Sequence, residues 1–357
     1  MPGTRRRGAA APVLVGIDTG GTFTDFVCVG AHGLRVHKRP STPEDPARAV
    51  LEGLVELLGG RPRAGVRVTY GTTVATNAVL ERRGARVVLV ATAGFEDVIE
   101  IGRQARPELY ALEPRRPEPL VDRRHRVGVA ERMSAGGRVL RPLTAGAVRA
   151  AVAAARRAGA ESVAVALLHA YANPVHERRL GRALAAAGFE TTLAHALVGE
   201  YREYERTSTA VLNAYVARVM RAHLRELARG VGRATLRVLQ SNGGATSVAT
   251  AGREAVRTLL SGPAGGAIGA LAAARRAGLA RVITIDMGGT PTRRQPARRR
   301  GAAAHRVDDR RPAGEGAGDR HPHRRRRRWP AGGVRRRRCA HRRTSAGAIL
   351  AGVLRAG

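Results

Sequence analysis

The chain has 357 residues, 43% of them hydrophobic, enough for a sizeable core and for two to three domains. Its formal charge of +35 rests almost wholly on arginine, Lys38 being the only lysine, a bias that reads first as GC-rich coding. Two cysteines, Cys28 and Cys339, exclude a disulfide framework and a C-x-x-C metal site, and no apolar run nears the roughly 20 residues that span a bilayer; a cytoplasmic protein with no membrane partner is expected.

At the N-terminus, Arg5-Arg6-Arg7 and the apolar stretch Ala9 to Ile17 have the outline of an export signal. Pro12 breaks that stretch, which then runs into Asp18-Thr19-Gly20-Gly21 with no cleavage site. Val13 to Ile17 reads as a buried strand entering a tight turn, with Phe26 to Val29 as the returning strand. Thr42 to Leu58 carries a cap, early acids and apolar residues at helical spacing. Val66 to Tyr70 is a strand, Gly71-Thr72-Thr73 opens a helix through Leu80, and Arg86 to Ala91 is a strand. An alanine-rich helix from Thr144 to Ala158 precedes a strand at Ser162 to Leu168, and Asn173-Pro174 starts a helix to Ala187. A long helix over about Ser208 to Arg229 is followed by a strand, Leu236 to Leu239, and a turn, Gln240 to Gly244. Gly265 to Ala277 is helical and Val282 to Ile285 is a strand. Strands and helices alternate throughout, which is the grammar of an α/β fold.

That grammar stops after Thr290. Between Pro291 and Ser345 the only large apolar residues are Val307, Trp329 and Val334, too few to offset the entropy of ordering the segment. Residues 291–357 hold 21 arginines and 4 acids, so a fifth of the chain carries about half of the excess charge. Arginine-rich recognition of nucleic acid normally has interleaved aromatics. Here Trp329 stands alone, so no specific nucleic-acid partner is expected.

The most informative feature is a repeat: Ile17-Asp-Thr-Gly-Gly-Thr22 returns as Ile285-Asp-Met-Gly-Gly-Thr290, each time at the end of a buried strand. Paired glycines let the backbone approach an anion, the threonine hydroxyls reach phosphate oxygens, and the aspartate can hold Mg²⁺ or its water. One such turn is an ordinary hairpin; two in matching contexts suggest facing halves around one nucleotide.

These residues resemble the hydantoinase/oxoprolinase family over Val13 to Thr290. The motifs are Gly16-Ile-Asp-Thr-Gly-Gly-Thr-Phe-Thr-Asp25, Tyr70-Gly-Thr-Thr-Val-Ala-Thr-Asn77, Gly94-Phe-Glu-Asp97, Ile101-Gly-Arg-Gln104 and Arg106-Pro107 with Tyr110. They continue with His169-Ala-Tyr-Ala-Asn-Pro174, Glu203-Tyr-Glu-Arg-Thr-Ser208, Gln240-Ser-Asn-Gly-Gly244, Ser261-Gly-Pro-Ala-Gly-Gly266 and Asp286-Met-Gly-Gly-Thr290. The resemblance implies an actin/Hsp70/sugar-kinase-like ATPase fold, with ribonuclease-H-like halves around ATP and Mg²⁺. It implies an N-terminal family domain over 13–200 and the start of a second over 201–290, between a disordered 1–12 and a disordered 291–357. The implied reaction is ATP-dependent opening of a cyclic amide, a hydantoin or 5-oxoproline, beside a companion hydantoinase B-type subunit. The alternatives are an acetone-carboxylase-type β subunit and an inactive truncated product.

By resemblance Asp18 and Asp286 are the catalytic and metal-holding acids, while Thr19, Gly20, Gly21, Thr22, Thr24, Gly288, Gly289 and Thr290 bind the nucleotide. Thr72, Thr73, Asn77 and Arg103 are candidate substrate or phosphate contacts. For the Gly71 turn a plain threonine-capped helix entry is an equal reading, since helix N-termini are ready anion sites in either case. Arg103, Gln104 and Arg106 read equally as a solvated turn. His169 and His176 read as structural, because no carboxylate partner is visible beside them in the sequence. Ser261-Gly262-Pro263 reads as a helix entry, since no Ser-His-acid constellation accompanies it.

The chain departs from the family after Thr290, where Pro291-Thr-Arg-Arg-Gln295 stands in place of the family's Ser-Thr-Asp-Val. Arginine codons read one nucleotide later restore Asp-Val here, and across Arg320 to Trp329 they yield a glycine-rich stretch of family type. The tail is therefore expected to be a frameshifted translation.

Overall fold

The computed structural model describes residues 12–31, 33–104, 110, 112, 118–279 and 281–284, with the backbone of 305–306. The chain opens with an antiparallel meander, β1 (Val13–Thr19), β2 (Phe23–Gly30) and β3 (Gly33–Pro40). Helix α1 (Pro46–Leu58) then leads to β4 (Val66–Thr72) and α2 (Val74–Leu80). A long insertion follows: β5 (Val87–Thr92), α3 (Val98–Ile101), β6 (Arg126–Val129), the small hairpin β7 (Arg132–Met133) and β8 (Val139–Arg141), α4 (Ala145–Arg157), β9 (Ser162–Ala166), α5 (Val175–Ala186), β10 (Glu190–Leu193) and α6 (Ala194–Leu197). Helix α7 (Glu203–Val231) returns to β11 (Thr235–Leu239) and β12 (Ala245–Ser247), then α8 (Val248–Arg253) and α9 (Ser261–Arg276). Beyond these, Ile283–Thr284 pairs with His305–Arg306. The second glycine motif, residues 285–290, lies outside the described residues.

Two sheets organise these elements. The first runs β12-β11-β4-β1-β2-β3, with β1, β4 and β11 parallel, so an antiparallel meander is continued by parallel strands. The second runs β10-β9-β5-β6 and is wholly parallel. Both faces of β5 and β9 are covered, and every residue of both strands is buried, as continuous apolar runs in a parallel sheet require. On one face Val88, Val90, Val163 and Val165 pack with α4 and α5; on the other Leu89 and Ala164 join the cluster that contains Tyr70 and Val68 of β4.

Helix α7 lies between the sheets, and its alanines at 210, 214 and 217 admit close approach from both sides. It ends beside the start of β4, because Thr235 of β11 pairs with Arg67, and so it runs against the parallel strands of the first sheet. It also runs against the second sheet: Ala85, just before β5, donates to the Tyr215 carbonyl, while Arg206 reaches the Leu167 carbonyl just past β9. The carboxyl ends of both parallel strand sets therefore point to the same end of the molecule.

The observed helix boundaries shift for identifiable reasons. α1 starts at Pro46, with the Asp45 side chain as its cap, although Thr42 Oγ1 still accepts from Ala49 N at 3.2 Å. α7 starts five residues before the expected Ser208, because Arg206 is buried by ion pairing that apolar periodicity does not register. β9 ends at Ala166, since the next two amides donate to the side chains of Glu177 and Thr92.

Candidate active site

The first glycine turn sits at the carboxyl end of β1. Asp18 pairs with Asp25 and Thr19 with Thr24 across the hairpin, and Gly20 N–H closes the turn on the Phe23 carbonyl at 3.0 Å. Gly21 and Thr22 form the exposed tip. The loop is held from behind: Ser41 donates its hydroxyl to the Gly20 carbonyl at 2.8 Å and its amide to the Thr22 carbonyl at 2.9 Å. Having given its one proton to Gly20, Ser41 Oγ accepts from Thr24 Oγ1 at 3.0 Å. Thr24 is fully buried and Thr19 nearly so, so both hydroxyls lie inside the loop's support while Thr22 stands at its surface.

Asp18 faces a cradle made by two other elements. A Cβ added at Gly71 would stand 3.1 Å from Asp18 Oδ1, and one at Gly262, in the first turn of α9, 3.6 Å from it. Thr73 donates to the Thr19 carbonyl at 3.1 Å, Thr72 Oγ1 accepts from Val74 N at 3.1 Å, and Ser261 donates to the Thr72 carbonyl at 3.3 Å. Leu260, at the entry to α9, has φ 57°, a left-handed conformation costly for leucine. The structure thus brings the Asp18, Gly71 and Ser261 motifs to one end of the first sheet. A carboxylate and hydroxyls with close backbone access form a hard-oxygen set suited to Mg²⁺ and phosphate.

Other candidates lie elsewhere. Asn77 is one turn into α2, and Arg103 pairs with Glu205 near the start of α7, with its Nε 2.8 Å from Oε1. Asp286, Gly288, Gly289 and Thr290 fall outside the described residues.

The inserted lobe holds a polar network that the sequence reading missed. His176 is buried with Nδ1 2.7 Å from Glu131 Oε2, and its Nε2 accepts from Leu143 N at 3.3 Å, which assigns the ring proton to Nδ1. The fully buried Glu177 accepts from Leu167 N at 2.9 Å and His195 N at 3.0 Å, and its Oε2 lies 2.6 Å from His195 Nδ1. Buried Arg206 reaches Glu203 at 2.7 Å and the Leu167 carbonyl at 3.2 Å. The expectation that His169 and His176 lack carboxylate partners is therefore corrected: His176 meets Glu131, and His169 lies beside Glu203. Each partner comes from more than thirty positions away, beyond the reach of any local pattern.

A cavity of about 850 Å³ opens on the other face of the first sheet, lined by Asp45, Val74, Val219, His223 and Val248 among others. His223 Nε2 lies 2.8 Å from the Tyr70 hydroxyl. Burial pushes the Tyr70 phenol up to about 12 and the His223 imidazole down to about 4, so both are neutral across ordinary pH. Tyr70 and Asp18 occupy adjacent registers on opposite faces, so the cavity lies behind the glycine turn.

Family models described as hydantoinase/oxoprolinase N-terminal region and hydantoinase/oxoprolinase match residues 14–188 and 206–307. The chain is 34% identical to caprolactamase subunit alpha of Pseudomonas jessenii, over 77% of this chain and 42% of that protein. It is 30% identical to 5-oxoprolinase of Saccharomyces cerevisiae, over 78% of this chain and 25% of that one. A nucleotide-free acetone carboxylase structure superposes with a TM-score of 0.69 at 30% identity, covering 78% of this chain and 43% of that chain. The chain thus spans less than half the length of these relatives, and its fold is that of the actin-like ATPases. No helix among the described residues is long and apolar enough to cross a membrane.

Proposed function

The chain belongs to the hydantoinase/oxoprolinase family, and from that premise we propose that it is the nucleotide-binding portion of an ATP-dependent enzyme that opens a cyclic amide. The observation that carries this reading is the placement of Asp18 between Gly71 and the first turn of α9, above a glycine hairpin with an exposed tip.

An amide resists water because attack on its carbon sacrifices resonance. ATP, when bound, supplies a phosphoryl group that turns the amide oxygen into a leaving group. The chain's own contribution is positioning and charge stabilisation. Asp18 would hold the cation or its water, and the amides of Gly21 and Thr22 with the Thr22 hydroxyl would meet phosphate oxygens. Ser41 and Thr73 hold the Gly20 and Thr19 carbonyls and so fix the backbone of the loop. The resemblance assigns nucleotide binding to Asp286, Gly288, Gly289 and Thr290 as well, which lie outside the described residues.

The relatives named as subunits support a companion hydantoinase B-type subunit. The acetone carboxylase likeness keeps a second reading open, in which the same loop serves activation of a ketone or bicarbonate. The arginine-rich tail is read as a frameshift product, and sequencing of the coding DNA tests it: an intact frame with no family sequence in the next frame rejects it.

The site is tested with Asp18→Asn. Mg-ATP binding by calorimetry is expected to weaken at least tenfold, about 1.4 kcal/mol, with the circular-dichroism spectrum unchanged. In a frame-restored full-length protein the same change is expected to abolish ATP turnover. Unaltered binding removes Asp18 from the site.

A further inference from the structure

The carboxyl edge of the inserted sheet ends in side chains that the nucleotide reading leaves unused. His169 follows β9 in the turn that leads to α5. Its amide donates to Glu203 Oε1 at 3.1 Å, and its ring Nδ1 lies 3.4 Å from the Tyr171 hydroxyl and 3.9 Å from the same Glu203 oxygen. Among the described residues the ring's polar contacts all fall on Nδ1, and the His169 and Glu203 side chains remain 30% and 24% accessible. This contrasts with His176, both of whose nitrogens are engaged inside the protein.

The support beneath this pair is rigid. Arg206, with its side chain fully buried, holds Glu203 Oε2 at 2.7 Å and faces the Tyr171 ring at 5.5 Å, while its Nε has no hydrogen-bond partner among the described residues. A buried guanidinium nitrogen left unsatisfied calls for an explanation in function. Backbone strain gathers at the same edge. Five described non-glycine residues have positive φ, and three of them converge here: His169 after β9, Gln104 after α3, and Arg202 at the start of α7. Strained residues persist where the surroundings over-determine them, commonly at ligand sites. The carboxyl edge of an open parallel sheet is also where ligands bind in such folds.

We propose that this edge is a second ligand site, where Glu203 accepts the N–H and His169 Nε2 or the Tyr171 hydroxyl donates to the carbonyl of a cyclic amide. The proposal rests on the ring-amide reading and adds to it the place where the ring is held. A ring amide is forced cis, so its donor and acceptor share one edge, whereas an open-chain amide is trans and presents them on opposite sides. Because Nδ1 and the Tyr171 hydroxyl are hydrogen-bonded to each other, one donor is left beside the Glu203 acceptor, the hydroxyl when Nδ1 carries the ring proton and Nε2–H when it does not. One acceptor with one donor matches the cis edge. Along α7, Glu203 lies 20 residues before His223, about 30 Å, while β4 advances only about 7 Å from Tyr70 to Thr72. The edge therefore stands roughly 20 Å from the glycine turn along the helix axis, facing the same end of the molecule, so it holds the ring apart from the phosphoryl transfer at the turn.

The test is nuclear magnetic resonance of the full 357-residue chain with labelled histidine, titrated with hydantoin, 5-oxoproline and open-chain N-methylacetamide. A saturable shift of the His169 ring by the cyclic compounds and not by N-methylacetamide is expected. His169→Asn keeps a residue that tolerates positive φ, so its melting temperature should hold while ring-amide affinity falls at least tenfold. Tyr171→Phe should weaken binding severalfold with the fold intact. No saturable shift at His169, or unchanged affinity in both variants, overturns the site. Mg-ATP binding is followed separately: ATP binding without ring-amide binding here refutes this inference alone, and ring-amide binding without ATP binding refutes the nucleotide reading alone.

Discussion

His223 shows how a single residue links packing to pH. It is buried against Tyr70, and burial holds its imidazole down to about 4 against an ordinary value of 6.5. Between those values the unfolded chain binds a proton that the folded chain does not, so stability falls as pH drops from 6.5 to 4 and levels off below. The shift corresponds to about 3 kcal/mol at most. His223→Gln removes the titration, so in urea unfolding across this window stability should fall less steeply with falling pH in the variant, and the difference between the two proteins should change between pH 6.5 and 4. A parallel pair of curves would show that the imidazole is not held neutral. The histidine is plain in the sequence, but its environment is not: Tyr70 lies 153 positions away, and only the antiparallel passage of α7 over β4 brings the rings together.

At the scale of elements, what was legible were the apolar strands that end in glycine turns and the helices with a local cap. β1 with Asp18-Thr19-Gly20-Gly21, β4 with Gly71, and α4 with the Thr144 side chain accepting from Ala147 N are all written in consecutive residues. The edge strand β3 was not legible, because most of its residues are exposed and it has no buried face to set a period. The buried network of the inserted lobe was hidden for another reason: Glu131, Glu177 and Arg206 look like solvated charges until topology closes them around one another. Helix α1 supplies a test of how tightly elements meet. A methyl group at Gly53 would stand 2.2 Å from the ring of fully buried Phe26. Gly53→Ala gains about 1 kcal/mol of helix propensity but forces the ring aside at about 1 to 3 kcal/mol. The net expectation is destabilisation by about 1 kcal/mol, relieved in a Phe26→Leu background. Chemical denaturation of the single and double variants measures it, and a stabilised single variant would mean that the ring has room to yield.

For the whole molecule the central relation is between two lobes with parallel carboxyl ends and one long helix between them. Helix α7 contributes to the core of both, since Met220 and Leu224 share a cluster with Tyr70 on one side and Leu89 on the other. A ligand at the glycine turn therefore stabilises more than its loop: Thr73 ties the turn to α2, Ser261 ties β4 to α9, and α2 packs on α7. A ligand that binds only the folded state stabilises by RT ln(1 + [L]/Kd), about 2.7 kcal/mol at a hundredfold excess over Kd. Mg-ATP at that excess should raise the melting temperature by several degrees, with tryptic cleavage slowing in both lobes together. The Asp18→Asn protein, at the same Mg-ATP concentration, should show no more than about half of this stabilisation, and chelation of Mg²⁺ should reduce both effects in the unaltered chain. A shift undiminished by Asp18→Asn would place the nucleotide elsewhere. Protection confined to the first lobe would mean that α7 does not carry the coupling between the sheets.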